Sequence, residues 1–340
     1  MALVDWEALH GEAFAGVRCV VTGGAGFIGS HLGEALLRLG ADVIVLDDLS
    51  RGQATNITHL RTVADTQPGG VAFEQASIVD ADATRRVIDK AVYVFHQAAW
   101  GSVPGSVDDP AGYHTVNLTG TLNVLEAARA ARVKRVVFAA SSSAYGDTPT
   151  LPKVETMPPL PRSPYAGNKV GCEAMMRAWA CSYGLDTACL RYFNIFGPRQ
   201  NANSAYAAVI AAFAKALLNG QRPVIYGDGE QSRDFTFIDN AVHANLLAAR
   251  CEQPIGGEAM NVACGRAVTV NELAREMADR LGVNELEPEY RPERAGDVKH
   301  SLAALERAES LIGYRPVVGF DAGLAATVDW YAAQHALATA

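Results

Sequence analysis

The run Gly23-Gly24-Ala25-Gly26-Phe27-Ile28-Gly29 constrains this chain more than any other feature. It follows the β-rich segment Val17-Arg18-Cys19-Val20-Val21-Thr22. It leads into Ile28, Leu32, Leu36 and Leu39, apolar residues spaced as on one helix face, and Gly40 ends that pattern. A strand that turns through glycines into a helix can bring bare backbone N–H groups to a phosphate at the helix N-terminus. The spacing satisfies both GxGxxG and GxxGxxG, although such a turn can also be purely structural. Asp47 and Asp48 close the next apolar run, Asp47 lying 18 residues past Gly29. A carboxylate there accepts from both ribose hydroxyls and repels a 2′-phosphate, which favours NAD over NADP. Arg51 is a counter-signal, because a nearby arginine can hold that phosphate.

The rest of the chain repeats the strand–helix alternation. Val43–Leu46, Val71–Phe73, Val92–Phe95, Val136–Phe138 and Thr187–Tyr192 read as strands. Helices are expected over Asn117–Arg132, with Leu118, Leu122, Leu125 and Ala128 on one face, and over Pro164–Tyr183. The pattern predicts an α/β fold, a Rossmann-like doubly wound parallel sheet with a smaller mixed C-terminal lobe. The 340 residues suit two lobes. We expect a cofactor domain over 1–190 with a returning segment near 235–260. The substrate lobe would be 191–234 and 261–340. Pro149–Pro164 reads as a surface loop.

A net charge of −8 gives no general reason to bind nucleic acid or an anionic membrane. No run of apolar residues has the length of a signal peptide or a membrane span. The six cysteines form no CxxC pair and no zinc spacing, so we expect no metal and buried, reduced thiols in a cytoplasmic protein.

Tyr165-Ala166-Gly167-Asn168-Lys169 places a phenol and an ammonium one helical turn apart. YxxxK is common by chance, but this one follows a dinucleotide turn and the hydroxyl-rich run Ser141-Ser142-Ser143-Ala144-Tyr145-Gly146. A tyrosine with a free pKa near 10 is a poor base, and a lysine cation beside it stabilises phenolate. A serine hydroxyl can hold a substrate oxygen and share its proton.

Taken together the motifs TGGAGFIGS, LDDLS, HQAAWGSVP, NLTGTLNVLEAA, SSSAYGD, SPYAGNK, LRYFNIFGPRQ, IYGDGEQSRDF and AGDVKHS resemble, in order, an extended short-chain dehydrogenase/reductase. Within that group the chain resembles the UDP-sugar 4-epimerases. GSVP, LPKVE and RQNANSAYAAVI are similar to the UDP-N-acetylglucosamine 4-epimerases. The resemblance implies that Tyr165 removes the O4 proton while hydride passes from C4 to NAD. A 4-keto sugar then rotates and takes the hydride back on its other face. It implies Ser141 as the catalytic hydroxyl and Lys169 as a second ligand of the nicotinamide ribose.

For NAD the resemblance points first to Gly23, Gly26, Phe27 and Ile28. After the second strand it points to Asp47, Asp48, Ser50 and Gly52, and then to Ser77 and Ile78 at the adenine edge. Gln97, Ala98, Ala99, Asn117 and Tyr192 complete it beside Tyr165 and Lys169. For the UDP-sugar it implies Asn194, Arg233 and Arg294 at the phosphates and Asp297 at the ribose. Val224, Ile225 and Tyr226 would flank the uracil. Ser142 and Ser143 would face the sugar or cofactor. Gly101, Ser102, Gln200, Asn203, Ala208 and Val209 match the hexosamine branch, and Ser301 stands at a size gate where a small residue leaves room for N-acetyl.

The family's 4,6-dehydratases and decarboxylases carry carboxylates just before the Tyr-Gly pair. Ser142, Ser143 and Ala144 offer none, which favours simple epimerisation. UDP-glucose/UDP-galactose and UDP-uronic acids remain alternative substrates. Two residues depart from the family pattern: Ser77 replaces a frequent Asp and Asp48 a frequent Asn, so weaker NAD retention is an expectation. The resemblance also implies a homodimer through the Asn117 and Pro164 helices.

Overall fold

The structure, a computed structural model, describes residues 3–202, 208–293 and 299–339. Seven strands form one parallel sheet: β1 (Arg18–Thr22), β2 (Asp42–Leu46), β3 (Val71–Glu74), β4 (Tyr93–His96), β5 (Arg135–Ser141), β6 (Thr187–Tyr192) and β7 (Ala259–Val262). Their order is β7-β6-β5-β4-β1-β2-β3. The order reverses between β1 and β4, where Thr22 lies opposite His96. A crevice opens at such a switch point because the connections leave in opposite directions.

Both faces of the sheet are covered, which is why β4 is buried throughout and β5 nearly so. Val20, Val94, Val136 and Phe138 pack with Val124, Leu125 and Met176 on one side. Cys19, Val21 and Phe95 join Leu32, Leu36 and Ala241 on the other. The helix Phe27–Arg38, expected from its apolar spacing, packs there beside Ala54–Ala64 and Ile238–Arg250.

The strand β7 was not read from the sequence. Its four residues, Ala-Met-Asn-Val, carry no strand pattern of their own, and pairing with β6 creates it. A buried arginine ties this returning segment to the sheet. Arg135, only 2% exposed, donates to Asp186 and to the carbonyls of Ala248, Cys251 and Gln253 at the C-terminal end of the helix Ile238–Arg250. A cation there meets the negative end of the helix dipole.

The smaller lobe packs the helices Val209–Leu218, Val270–Leu281 and Phe320–Thr339 around short strand pairs. Val224–Tyr226 pairs with Glu289–Arg291, and Ser232–Asp234 with Ala267–Thr269.

Three expectations change. The helix expected from Asn117 begins earlier and passes through a π-helical turn, Thr115–Thr119, before Gly120–Ala130. Such a turn re-aims side chains, and Asn117 now grips both backbone groups of Trp100. The Pro149–Pro164 loop is not all surface. Lys153 is buried, and its backbone bonds to Leu302 and Ala304. The thiols are free, but Cys181 is exposed and Cys251 and Cys264 are half-buried, because they sit at helix or strand ends. No helix among the described residues is long and apolar enough to cross a membrane. No cluster of three or more His, Cys, Asp or Glu side chains among them could hold a metal.

Candidate active site

A cleft of about 300 Å³ lies at the switch point. Gly23, Gly26, Phe27 and Ile28 form its floor, Asp47, Asp48, Ser50 and Gly52 one wall, and Ser77, Ile78, Gln97, Ala98 and Ala99 the other. The glycines divide by function. Gly23 has φ +70, and a Cβ on it would lie 2.6 Å from Ala98 N. A Cβ on Gly29 would lie 2.2 Å from Gly23 O, so both are needed to close the turn. At Gly26 the only atom in reach is Gly23 O at 3.1 Å, so this residue leaves the helix N-terminus open to the cleft. Its neighbours accept no side-chain cap, and a phosphate suits that end.

Asp47 is buried, and it accepts from Ala25 N at 3.0 Å and Leu49 N at 2.8 Å. Burial raises its pKa, and those two N–H bonds oppose the rise. Each carboxylate oxygen keeps acceptor capacity for a ribose hydroxyl. Gly52 has to be glycine, because a Cβ there would meet Asp47 Oδ1 at 2.7 Å. Asp48 is exposed and accepts from Ser50 N. Ser77 Oγ accepts from Val79 N.

Beyond this cleft stand the expected catalytic groups. Ser163 caps the helix Pro164–Tyr183 by accepting from Ala166 N, which fixes Tyr165 in its first turn. Ser141, at the end of β5, is the group near the Tyr165 hydroxyl that favours its phenolate. Ser141 Oγ accepts from Ser143 Oγ at 2.9 Å. Ser142 opens the short turn that follows. Lys169 is buried, donates to Ala139 O at 2.7 Å, and lies 5.9 Å from the Tyr165 ring centroid.

Burial raises Tyr165, while Ser141 pulls it down. Burial lowers Lys169 to about 8. The lysine therefore faces the ring and the Ala139 carbonyl. Desolvation is the largest influence on the tyrosine, and Ser141 rather than the lysine is what lowers it. Asn117 is buried and spent on Trp100. Tyr192 donates to Gln97 and accepts from Asn245, so it braces the cleft wall from beneath.

A second cavity, about 240 Å³, lies in the smaller lobe. Asn194, Ala208, Val209, Val224, Ile225, Tyr226 and Arg233 line it, as expected. Arg233 also donates to the carbonyls of Ser232 and Lys299. Four expected substrate residues are placed elsewhere. Gln200 does not line this cavity, and its amide donates to Ile195 O. Ser301 is buried, its N–H bound to Ser232 O. Ser102 caps the helix Val103–Asp108, and Gly101 lines the cofactor cleft. Asn203, Arg294 and Asp297 lie outside the described residues.

Sequence reasoning missed Trp100, which lines the cleft and stacks on Arg51 at 5.1 Å, although it sits inside a recognised motif. It also missed Gln231, Phe235 and Val270 in the second cavity. Gln231 and Phe235 flank Arg233 inside a recognised motif, whereas Val270 comes from a separate segment.

The model of the NAD dependent epimerase/dehydratase family matches residues 19–263. The chain belongs to that family. It is 41% identical over 317 residues to a UDP-glucose 4-epimerase of Mycolicibacterium smegmatis, covering 93% of this chain and 98% of the relative. It is 32% identical to a UDP-glucuronate 4-epimerase of Thermodesulfobacterium geofontis, covering 92% of this chain and 95% of that one. Its fold superposes with a TM-score of 0.88 on a UDP-N-acetylglucosamine 4-epimerase of Methanobrevibacter ruminantium M1, solved in complex with UDP-N-acetylmuramic acid. Identity there is 40%, over 94% of this chain and all of that one.

As a member of the NAD-dependent epimerase/dehydratase family the protein is an enzyme whose cofactor is NAD. Its own cleft fits that group: an open helix N-terminus at Gly26 for the pyrophosphate and a buried carboxylate at the end of β2 for the ribose.

Proposed function

We propose that this protein interconverts UDP-N-acetylglucosamine and UDP-N-acetylgalactosamine by inverting C4 of the sugar. The coarser class, an NAD-dependent UDP-sugar 4-epimerase, follows from its family, its relatives and its complete Ser141, Tyr165 and Lys169 set. One observation carries the choice of epimerisation over elimination or decarboxylation. The turn after Ser141 offers hydroxyls and Ala144 but no carboxylate to take a C5 proton. Bound NAD supplies a reversible acceptor for the C4 hydride.

The chain's own residues do the rest. Tyr165, whose phenolate Ser141 favours, takes the O4 proton and later returns it. Ser141 keeps the O4 oxygen in reach. Lys169, close under the tyrosine ring, stabilises negative charge on it and holds the nicotinamide ribose. Arg233 and Asn194, with Arg294, hold the diphosphate, and the Val224–Tyr226 strand flanks the base. The diphosphate is then an anchor about which the 4-keto sugar turns to present its other face.

The N-acetyl preference rests on the small Ala208 in the second cavity and on the likeness to the Methanobrevibacter enzyme. The Mycolicibacterium relative favours UDP-glucose and UDP-galactose as a second reading. The test is the purified protein with each UDP-sugar, followed by NMR at C4. We expect the highest kcat/KM on the N-acetylated pair. Turnover confined to other sugars sinks the preference.

We further assign residues 1–190, with 235–260, to the cofactor lobe and the remainder to the substrate lobe. We assign a homodimer through the Asn117 and Pro164 helices, whose surroundings expose Val103, Val107, Leu122 and Tyr183. Gel filtration at low concentration tests it. Six free thiols suit a reducing, cytoplasmic setting.

A further inference from the structure

The helix that begins at the cofactor turn carries a second set of polar groups one turn below it. Phe27, His31, Glu34 and Arg38 follow at spacings of four, three and four, so they share one face. Phe27 lines the cofactor cleft, and the His31 ring stands edge-on to it at 5.7 Å. Across from this face runs the segment Asn194–Ala202. Its first residues, Asn194, Ile195 and Phe196, line the second cavity.

The middle of that segment is fastened to the helix. His31 Nε2 lies 2.9 Å from Pro198 O and 3.1 Å from Arg199 Nε, and it serves one of them at a time, donating to the carbonyl or accepting from the guanidinium. Arg199 Nη1 donates to Glu34 Oε2 at 2.8 Å. Glu34 also meets Arg38 on its own helix and His59, whose helix follows the Asp47–Gly52 wall. One carboxylate therefore joins the helix of the cleft floor, and the helix that follows one cleft wall, to the substrate segment. Burial would raise it, but the bonds from His59, Arg199 and Arg38 hold it well below the usual carboxylate range. The Arg199 and Glu34 side chains are largely buried, at 12% and 20% exposure, so solvent screens this pair little.

The backbone adds a second observation. Asn194 and Arg199 are both non-glycine residues with positive φ, +38 and +66. Such residues persist where surrounding contacts over-determine them.

We propose that Arg199 is a positioning residue, which through Glu34 and His31 sets the register of the substrate segment against the cofactor helix. The sugar-nucleotide is then presented to the cofactor at one distance and angle. A misplacement of about an ångström is enough to cost up to a hundredfold in rate. This rests on reading the Asn194–Arg233 cavity as the nucleotide end of the substrate site.

The test uses the full-length holoenzyme with Arg199→Met, Arg199→Lys, Glu34→Gln and the double variant Arg199→Met/Glu34→Gln. KM and kcat for the UDP-sugar, UDP affinity by calorimetry, NAD per chain and thermal melting are measured on each. Arg199→Met should raise KM and weaken UDP binding about tenfold, with a fall in kcat of ten- to a hundredfold and NAD content retained. Arg199→Lys should recover part of this, and the double variant should be no worse than the worse single one. If Arg199→Met does not fold, Arg199→Gly removes the side chain and relieves the positive φ, and it should show the same losses. UDP affinity and KM within twofold of wild type in folded variants overturn the positioning role, even if melting temperatures fall. Losses that multiply in the double variant also overturn it. A wild-type protein that binds no UDP overturns the reading of the cavity, and this proposal with it.

Discussion

The cofactor cleft and the second cavity are built in opposite ways. The cofactor cleft is made of backbone: a glycine turn, two strand ends and the loops that leave them. The second cavity is made of side chains gathered from at least five separate stretches, from Asn194 to Val270. Backbone geometry tolerates no substitution that adds a Cβ, whereas a side-chain cavity tolerates many and pays in affinity. Damage to the first should therefore empty the protein of NAD, and damage to the second should leave NAD in place and weaken the sugar nucleotide.

The largest expected effect stands between the two. Tyr165→Phe removes the hydroxyl that takes the O4 proton. Turnover should fall about a thousandfold or more, while absorbance of released cofactor shows unchanged NAD per chain. Full activity in that variant would remove Tyr165 from the mechanism.

Next comes the glycine turn. Gly29→Ala forces a methyl to 2.2 Å from Gly23 O, so the turn has to open. We expect bound NAD to fall below about a tenth, with a stability loss of about 1–3 kcal/mol in thermal melting. Gly26→Ala, with its nearest atom at 3.1 Å, should lose NAD with much less loss of melting temperature. Equal melting losses would break the division between closing and cradling glycines.

In the second cavity Arg233→Ala should raise KM for the UDP-sugar about tenfold, with NAD content unchanged. An emptied cofactor cleft in this variant would show that the two hollows are not separable.

The smallest effect is a matter of pH, and it should differ in sign between the two hollows. His31 and His96, on the cofactor side, are lowered by burial from 6.5 to about 3. Their contribution to stability is complete above pH 6.5 and drains away as pH falls toward 3. Asp234, behind the second cavity, is raised by burial from 3.8 to about 6. Its contribution is complete below 3.8 and is lost as pH rises through 6. Moving from pH 7 to pH 5 should therefore speed NAD loss severalfold and change UDP affinity less than twofold. Faster loss of UDP than of NAD would contradict the assignment.

The same contrast explains what was legible in the sequence. Gly23 to Gly29, Asp47, Ser141, Tyr165 and Lys169 stand in short local patterns, because a tight turn or one helical turn fixes their geometry within a few residues. The helix Pro164–Tyr183 and the strand Thr187–Tyr192 were readable to the residue for that reason. Gln200 and Ser301 were read as substrate contacts from motif position alone, and neither lines the cavity that holds Asn194 and Arg233. Trp100 and the π turn that fixes it through Asn117 depend on contacts between loops far apart in sequence.

By itself the sequence determined the parallel α/β fold, the dinucleotide turn and the tyrosine–lysine pair, since each follows from spacing along one element. Only the tertiary structure decided which glycines touch and which cradle. It alone made β7 a strand, brought Val270 into the cavity of Arg233, and brought Glu34 to Arg199. Those outcomes depend on where distant segments come to rest against one another, and a pairing across 165 residues leaves no periodic trace in the chain.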